Sequence, residues 1–184
     1  MAANLLRGRA GMTLIEITVS LAIIILAVFG MTGILVHSGR SSARTQGQSD
    51  LDSGVALAAE RVQGYLIEAR SITIDTDGLG LTYKYPTKNP DGTYTSSPAA
   101  VEATSRRLDV SNGVLSSSDE PDRPILTDIP DVDPETGTAT RIFSVGLSGR
   151  EVQVRLVSQK TVTGGCTQHS AITSRIRPRN MPQP

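Results

Sequence analysis

The stretch "GMTLIEITVSLAIIILAVFGMTGILV", residues 11–36, decides the fold of this chain. Its only ionisable side chain is Glu16, and residues 17–36 carry no charge at all. As a helix rising about 1.5 Å per residue, this uncharged segment extends roughly 30 Å, which matches the hydrocarbon core of a bilayer. We therefore expect a helix that can span a membrane.

The flanking charges bear on how such a helix would be oriented. Arg7 and Arg9 precede it and Arg40 and Arg44 follow it, so side-chain charges alone balance. The free α-amine favours a cytoplasmic N-terminus, with everything after residue 36 exported.

Three simpler interpretations compete: a secretory signal peptide with "SSA" at 41–43 as its cleavage site, a plain membrane anchor, and a buried core helix. None of them accounts for Glu16. A carboxylate costs about 2.5–3.5 kcal/mol deep in lipid and somewhat less near the interface, so it indicates a function that needs a named partner.

The segment "RAGMTLIE", residues 9–16, resembles the type III signal peptide of the type IV pilin and type II secretion pseudopilin superfamily. The resemblance implies that a prepilin peptidase cuts after Gly11 on the cytoplasmic face and methylates the new amine of Met12. A phenylalanine is commoner than methionine at that position. It also implies that Glu16, the fifth mature residue, attracts the amine of a neighbouring subunit and so sets the register between subunits.

The function implied is that of a structural subunit, a minor pilin or pseudopilin, in a type IV pilus or a type II secretion-like pseudopilus. The implied partners are other pilin or pseudopilin subunits, the prepilin peptidase and methylase, an inner-membrane assembly platform and membrane lipid. The protein would cross the cytoplasmic (inner) membrane once with its head exported, and then enter a filament in the periplasm or at the cell surface. The alternative is a single-pass, membrane-anchored, exported binding domain that is not assembled into filaments.

Beyond the membrane segment, apolar residues recur at steps of three and four and form one stripe. They are Leu51, Val55, Ala58, Val62, Leu66 and Ala69. We therefore expect one long helix from about Met12 to Arg70. The predicted organisation is a leader at 1–11, a membrane and assembly half of the helix at 12–37, an amphipathic half at 38–70 and a β-rich head at 71–184.

Glycines punctuate this helix, at Gly30, Gly33, Gly39, Gly47, Gly54 and Gly64. Each is about 1 kcal/mol less favourable than alanine in an isolated helix. Close helix packing or simple tolerance is one interpretation, and bending or melting at Gly30 and Gly33 during assembly is the other. Many pilins carry a proline near this place, and this helix has none.

Strands dominate the remainder. "SITID" and "LGLTYKY" flank a turn at Gly78, Asn112-Gly113 is a strong hairpin signal, and "RIFSVGL" precedes "REVQVRLVSQ" across Ser148-Gly149. A short strand is expected in "SAITSRIRPRNM". Because no helical crossovers separate the strands, we predict an α+β fold, with the helix packed on an antiparallel sheet in a pilin-like lollipop.

The series "LDVSNGVL", "RPILTDI", "FSVGL" and "REVQVRLVSQ" is similar to pseudopilin J and W-type minor pilins.

An acidic stretch between Asp119 and Glu135 suggests calcium, which prefers oxygen ligands. The acids are Asp119, Glu120, Asp122, Asp128, Asp131, Asp133 and Glu135. The candidate ligands are Asp131, Asp133 and Glu135, in "DVDPETG". The stretch lacks the twelve-residue EF-hand layout, and a solvated loop is the alternative, so we expect no cofactor.

Other classes of function find little support in the composition. Lysine plus arginine equals aspartate plus glutamate, 18 each, which gives no bulk charge for nucleic acid. Arg175, Arg177 and Arg179 could contact phosphates, but no aromatic platform accompanies them. Nucleic acid is therefore not an expected partner.

The histidines, the glycines and the single cysteine of the sequence form no recognisable catalytic motif. His37 and His169 fit no catalytic or metal-ligand spacing, and no Walker or dinucleotide glycine motif is present. We predict that the protein is not an enzyme. Cys166 is alone, which excludes an intrachain disulfide and leaves an intermolecular bridge open.

Overall fold

The computed structural model describes residues 13–93, 101–146, 151–162 and 165–179. One long helix is followed by seven strands, so the predicted α+β class is confirmed. Two compact units make up the chain, Met1–Ala43 and Arg44–Pro184. Helix α1, Leu14–Ile67, begins in the first unit and ends in the second.

The second unit contains the buried part of α1. Leu51, Val55, Ala58, Val62 and Leu66 are the buried residues of the helix, and they are the stripe that the sequence spacing predicts. Ala69 is also buried, although it lies beyond the end of the helix. The backbone N–H of Ala69 donates to the carbonyl of Leu66, so the last turn tightens before the chain enters the first strand.

The strands form two antiparallel sheets. The first sheet has the order β1-β2-β3-β4, with β1 Ser71–Ile74, β2 Gly80–Lys84, β3 Arg106–Ser111 and β4 Val114–Ser117. The second has the order β5-β6-β7, with β5 Phe143–Val145, β6 Val152–Val162 and β7 Cys166–Ile176. The sequence predicts one sheet, whereas the structure divides the strands between two.

The predicted hairpins follow the turn chemistry. Gly78 has φ 73°, and Asn112 and Gly113 have φ 52° and 73°, so both central residues of the β3-β4 turn are left-handed. Ser148 and Gly149 lie outside the described residues, but β5 and β6 pair antiparallel as expected. The terminal strand was expected to be short, yet β7 is 11 residues long and pairs with β6 along its full length.

Both sheets pack on the helix stripe. Leu81, Tyr83, Leu108 and Leu115 come from the first sheet. Phe143, Val154, Leu156 and Ile176 come from the second. These side chains form a single core with Val55, Ala58, Val62 and Leu66. The two sheets therefore share one hydrophobic core, in which the helix is the common element.

Polar contacts fix α1 against β7. The Gln168 side-chain amide donates to the carbonyl of Arg44 at 2.9 Å, and the Gln48 amide donates to the carbonyl of His169 at 3.2 Å. The backbone N–H of Arg179 donates to the carbonyl of Ile67 at 2.9 Å. The Gln48 side chain thus pairs one backbone acceptor of β7, an edge strand of its sheet, while two carbonyls of α1 accept hydrogen bonds from Gln168 and Arg179.

Gly47 lies where the helix approaches the strands most closely. A methyl group at this position would lie 2.8 Å from Val162 Cγ1 and 2.8 Å from Gln168 Oε1. A methyl group at any of the other helix glycines would have no atom of the described residues within 4 Å; these glycines are Gly30, Gly33, Gly39, Gly54 and Gly64. Close packing inside the chain therefore explains Gly47 alone.

Replacing Gly47 by alanine is expected to lower the free energy of unfolding by about 1–2 kcal/mol, because overpacking outweighs the gain in helix propensity. Gly54→Ala is the matched control and should stabilise the helix by up to about 1 kcal/mol. Thermal unfolding of the detergent-solubilised chain, followed by circular dichroism, measures both. Equal shifts for the two variants would contradict the packing role of Gly47.

Candidate functional site

The first turn of α1 contains a reciprocal hydrogen-bond pair between Thr13 and Glu16. The backbone N–H of Thr13 donates to Glu16 Oε2 at 3.0 Å, and the Thr13 hydroxyl donates to the same oxygen at 3.1 Å. In return, the Glu16 N–H donates to Thr13 Oγ1 at 3.4 Å. This is the capping box, in which an N-cap threonine and a glutamate three residues later satisfy each other's backbone N–H groups.

Sequence reasoning overlooked this cap, although its signal is the Thr-x-x-Glu spacing just before an apolar run. The cap gives Glu16 a partner inside its own chain. A glutamine at the same position would close the box equally well, because the cap needs an acceptor oxygen and no charge. The geometry therefore explains an acceptor at position 16, and among the described residues the negative charge adds only its favourable interaction with the N-terminal end of the helix dipole.

The residues that follow Glu16 present an apolar surface that no described part of the chain covers. Every described residue from 13 to 46 is exposed. The large apolar side chains among them are Leu14, Ile15, Ile17, Val19, Leu21, Ile23, Ile24, Ile25, Leu26, Val28, Phe29, Met31, Ile34, Leu35 and Val36. Among the described residues, α1 is the one helix long and apolar enough to cross a membrane. Its apolar part lies near the N-terminus, which is consistent with membrane anchoring.

Gly11 and Met12, the predicted processing residues, lie outside the described part of the chain. Glu16, the predicted assembly residue, lies in the first turn of α1 and is exposed. Gly30 and Gly33 lie within continuous α-helix, on an open groove that also contains Phe29, Ile34 and His37.

The calcium candidates are arranged around an arginine that the sequence analysis did not single out. Arg155, on β6, places its guanidinium 2.5 Å from Asp133 Oδ2 and 2.5 Å from Glu135 Oε2. The Asp133 side chain is only 5% exposed, against 47% for that of Glu135. Asp131 contributes its backbone carbonyl to the N–H of Thr140 at 2.9 Å.

Charge neutralisation by Arg155 dominates this loop. Hydrogen bonding from the guanidinium lowers the pKa of Asp133, and the two carboxylates raise the pKa of Arg155. Asp133 also accepts the Glu135 N–H at 2.9 Å, which holds the turn closed. Two of the candidate ligands thus bind an internal cation. Within the described residues, no three His, Cys, Asp or Glu side chains are placed to hold one metal ion.

A second charged cluster lies on the first sheet. The buried hydroxyl of Tyr83 donates to Asp119 at 3.1 Å, and burial raises the pKa of this tyrosine. Arg106 lies 4.4 Å from the ring centroid of Tyr85 and pairs with Asp119 and Glu102 at 3.2 and 2.7 Å. The acid at 119 therefore belongs to a packed network that joins β2 to β3 and not to the calcium candidate loop.

The remaining polar candidates are dispersed. Arg175, Arg177 and Arg179 are all exposed. His169 contributes its backbone carbonyl to Gln48, and Cys166 is half-buried at the start of β7 with a free thiol. Among the described residues, neither His37 nor His169 lies in a group that could hold a metal ion. The absence of enzyme activity stays a prediction.

Comparisons of this chain with protein-family models, with curated proteins and with solved structures found no match.

Arg155→Ala is expected to lower the free energy of unfolding by about 3 kcal/mol, because it leaves the buried Asp133 carboxylate without its cation. Glu135→Gln is the control and should cost less than about 1 kcal/mol, since Glu135 is largely exposed. Denaturant unfolding of the full chain in detergent measures both changes. Adding Asp133→Asn to Arg155→Ala should recover part of the loss, and no recovery would argue against the uncompensated charge as its cause.

Proposed function

We propose that this protein is a pilin-like structural subunit, processed between Gly11 and Met12, that assembles through its N-terminal helix into a type IV pilus or a secretion pseudopilus. The observation that carries the proposal is the charge of Glu16 at the start of an uncovered apolar helix. The cap accounts for the oxygen of this side chain and leaves its charge available to a partner outside the chain.

A suitable partner must be cationic and must reach the level of the first helical turn within the membrane boundary. The α-amine created by cleavage after Gly11 has both properties, because it begins a neighbouring copy with the same anchor. A carboxylate and an ammonium that are each costly in a low-dielectric medium neutralise one another there. Subunit entry into a filament would thus remove two unfavourable charges at once.

The uncovered apolar surface supports the same proposal. Before assembly, lipid can cover residues 17–36 of the membrane-anchored subunit, whose second unit is exported. In a filament, helices of neighbouring subunits would cover the same surface. Residues 17–36 lie inside one continuous α-helix, whose backbone groups pair within the helix. This surface therefore needs no rearrangement for either environment.

A single-pass, membrane-anchored binding domain is the second candidate function. The capping box favours it, because it gives Glu16 a local partner and so lets a lone anchor tolerate the acid. This candidate predicts that the protein stays in the membrane and never appears in sheared filaments.

Processing is the first test of the proposed function. Mass spectrometry of the mature chain should show loss of residues 1–11 and an N-methylated Met12. In cells without the prepilin peptidase the leader should stay attached and the protein should be missing from filaments. A mature chain that keeps Met1 in cells with an active peptidase would contradict the proposal.

Substitutions at Glu16 separate the charge from the cap. Glu16→Ala and Glu16→Gln should both leave cleavage largely intact and reduce incorporation into sheared filaments by about tenfold, the effect of losing roughly 1.4 kcal/mol. Thr13→Ala is the matched control, because it removes the cap hydroxyl and keeps the charge, and its incorporation should stay near that of the wild type. Quantitative immunoblotting of filament and membrane fractions gives the ratio. Normal incorporation of Glu16→Gln would show that the charge is dispensable.

A further inference from the structure

A groove of about 550 Å³ lies in the second unit, between the β1-β2 turn, the β3-β4 turn and the loop that joins β4 to β5. The residues that line it lie within 77–79, 110–113, 129–131 and 139–141. Its volume falls in the range of about 300–1,000 Å³ that is usual for small-molecule sites. The groove is therefore large enough to hold a small organic ligand.

Backbone hydrogen bonds hold the walls of this groove together. The N–H of Ile129 donates to the carbonyl of Gly113 at 2.9 Å and joins the loop to the β3-β4 turn. The N–H of Ile142 donates to the carbonyl of Gly78 at 3.0 Å and joins the same loop to the β1-β2 turn. Walls that are fixed before binding lose little conformational freedom when a ligand arrives. The groove is therefore preformed.

Aliphatic side chains line part of the groove. Leu79, Val110 and Pro130 are half-buried, and Ile129 is buried. Val110 packs against the hydrophobic core, so this part of the lining is firmly supported. None of the described residues that line the groove is aromatic, so the groove offers no platform for stacking a nucleic-acid base. The lining suits an aliphatic group.

Three charged side chains line the same groove, and none of them forms an ion pair with a described residue. They are Asp77, Asp131 and Arg141. One oxygen of Asp77 accepts the N–H of Leu79 at 2.9 Å, whereas the Asp131 carboxylate is the calcium candidate that no arginine binds. Arg141 lies beside the β1-β2 turn, since a methyl group at Gly78 would be 3.3 Å from Arg141 Cβ. The groove thus contains charges of both signs that the single chain leaves unpaired.

This combination of charges restricts the ligand. A polyanion would meet two carboxylates for one guanidinium, and a metal cation would meet that guanidinium beside the carboxylates. A zwitterion with an aliphatic body is compatible with both signs. Since Arg141 pairs with neither acid of the groove, the two charges of the ligand must also be separated. A dipeptide achieves this separation, because each extended residue adds about 3.3 Å between its termini.

We propose that this groove binds a short aliphatic peptide with free termini. The terminal carboxylate pairs with Arg141, whose planar guanidinium suits bidentate contact with a carboxylate. The terminal ammonium pairs with Asp131, because Asp77 already accepts a backbone N–H. The aliphatic side chains contact Leu79 and Val110. This binding requires no filament and goes beyond the proposed structural role.

NMR titration of the full-length, ¹⁵N-labelled chain in detergent with leucyl-leucine tests the proposal. Shift changes should be confined to amides of the groove segments and should give a dissociation constant on the order of 1 mM or below. N-acetyl-leucyl-leucine amide is the matched control ligand, because it keeps both side chains and loses both terminal charges. It should bind about tenfold more weakly.

Substitutions assign each terminus to its partner. Arg141→Gln should weaken the binding of leucyl-leucine about threefold to fivefold and should not change the binding of leucyl-leucine amide. Asp131→Asn should have an equal effect on leucyl-leucine and none on its N-acetyl form, because an interaction that the ligand lacks cannot be lost twice. Arg175→Gln and Asp122→Asn are the matched controls, since both residues are exposed and lie outside the groove. Neither should change the affinity.

The outcomes bear on the groove alone. Unchanged groove amides at leucyl-leucine concentrations well above the expected dissociation constant would overturn the proposal. Equal affinity for the doubly blocked peptide would overturn the pairing of its termini. Shifts that calcium chloride produces and leucyl-leucine does not would indicate a cation site and would also overturn it. Filament assembly is not measured here, so failure of this inference leaves the proposed function standing, and the reverse also holds.

Discussion

The apolar stripe of α1 from Leu51 to Leu66 is the surface on which the rest of the second unit is built. A four-stranded and a three-stranded sheet each leave one apolar face to be covered, and both faces meet the same helix. An apolar face of a sheet must be buried against another element, and here that element is α1. The fold therefore depends on a helix whose apolar side chains keep the spacing of three and four over about four turns.

The same helix has a second apolar surface that none of the other described residues covers. Between Leu51 and Leu66, one side of the helix is apolar and the other is polar, as a soluble domain requires. In residues 17–36, all sides are apolar, as lipid or other helices require. A change of composition along one unbroken helix thus changes the environment it needs, from hydrocarbon to a protein core. The proposed structural role in a filament would use both, one part as an anchor and the other as the helix of the folded second unit.

Six of the described acids pair with three arginines. Arg155 holds Asp133 and Glu135, Arg106 holds Glu102 and Asp119, and Arg107 holds Asp75 and Asp109. The acidic stretch that suggested calcium includes acids bound by arginines from distant strands. Linear spacing could not reveal this, because Arg155 lies 20 or more residues from its two partners. Among the described residues, the donors to the Glu16 carboxylate are the neutral N–H and hydroxyl of Thr13, so Glu16 differs from these acids.

Local patterns in the sequence were sufficient for the elements themselves. The period of three and four predicted the buried stripe, and Asn112-Gly113 predicted the β3-β4 turn, because each depends on residues close together in the chain. Only the tertiary structure divided the strands into two sheets, extended β7 along β6, and singled out Gly47 among the helix glycines. Those features depend on contacts between distant segments, where volume and charge complementarity decide, and a one-dimensional pattern records neither.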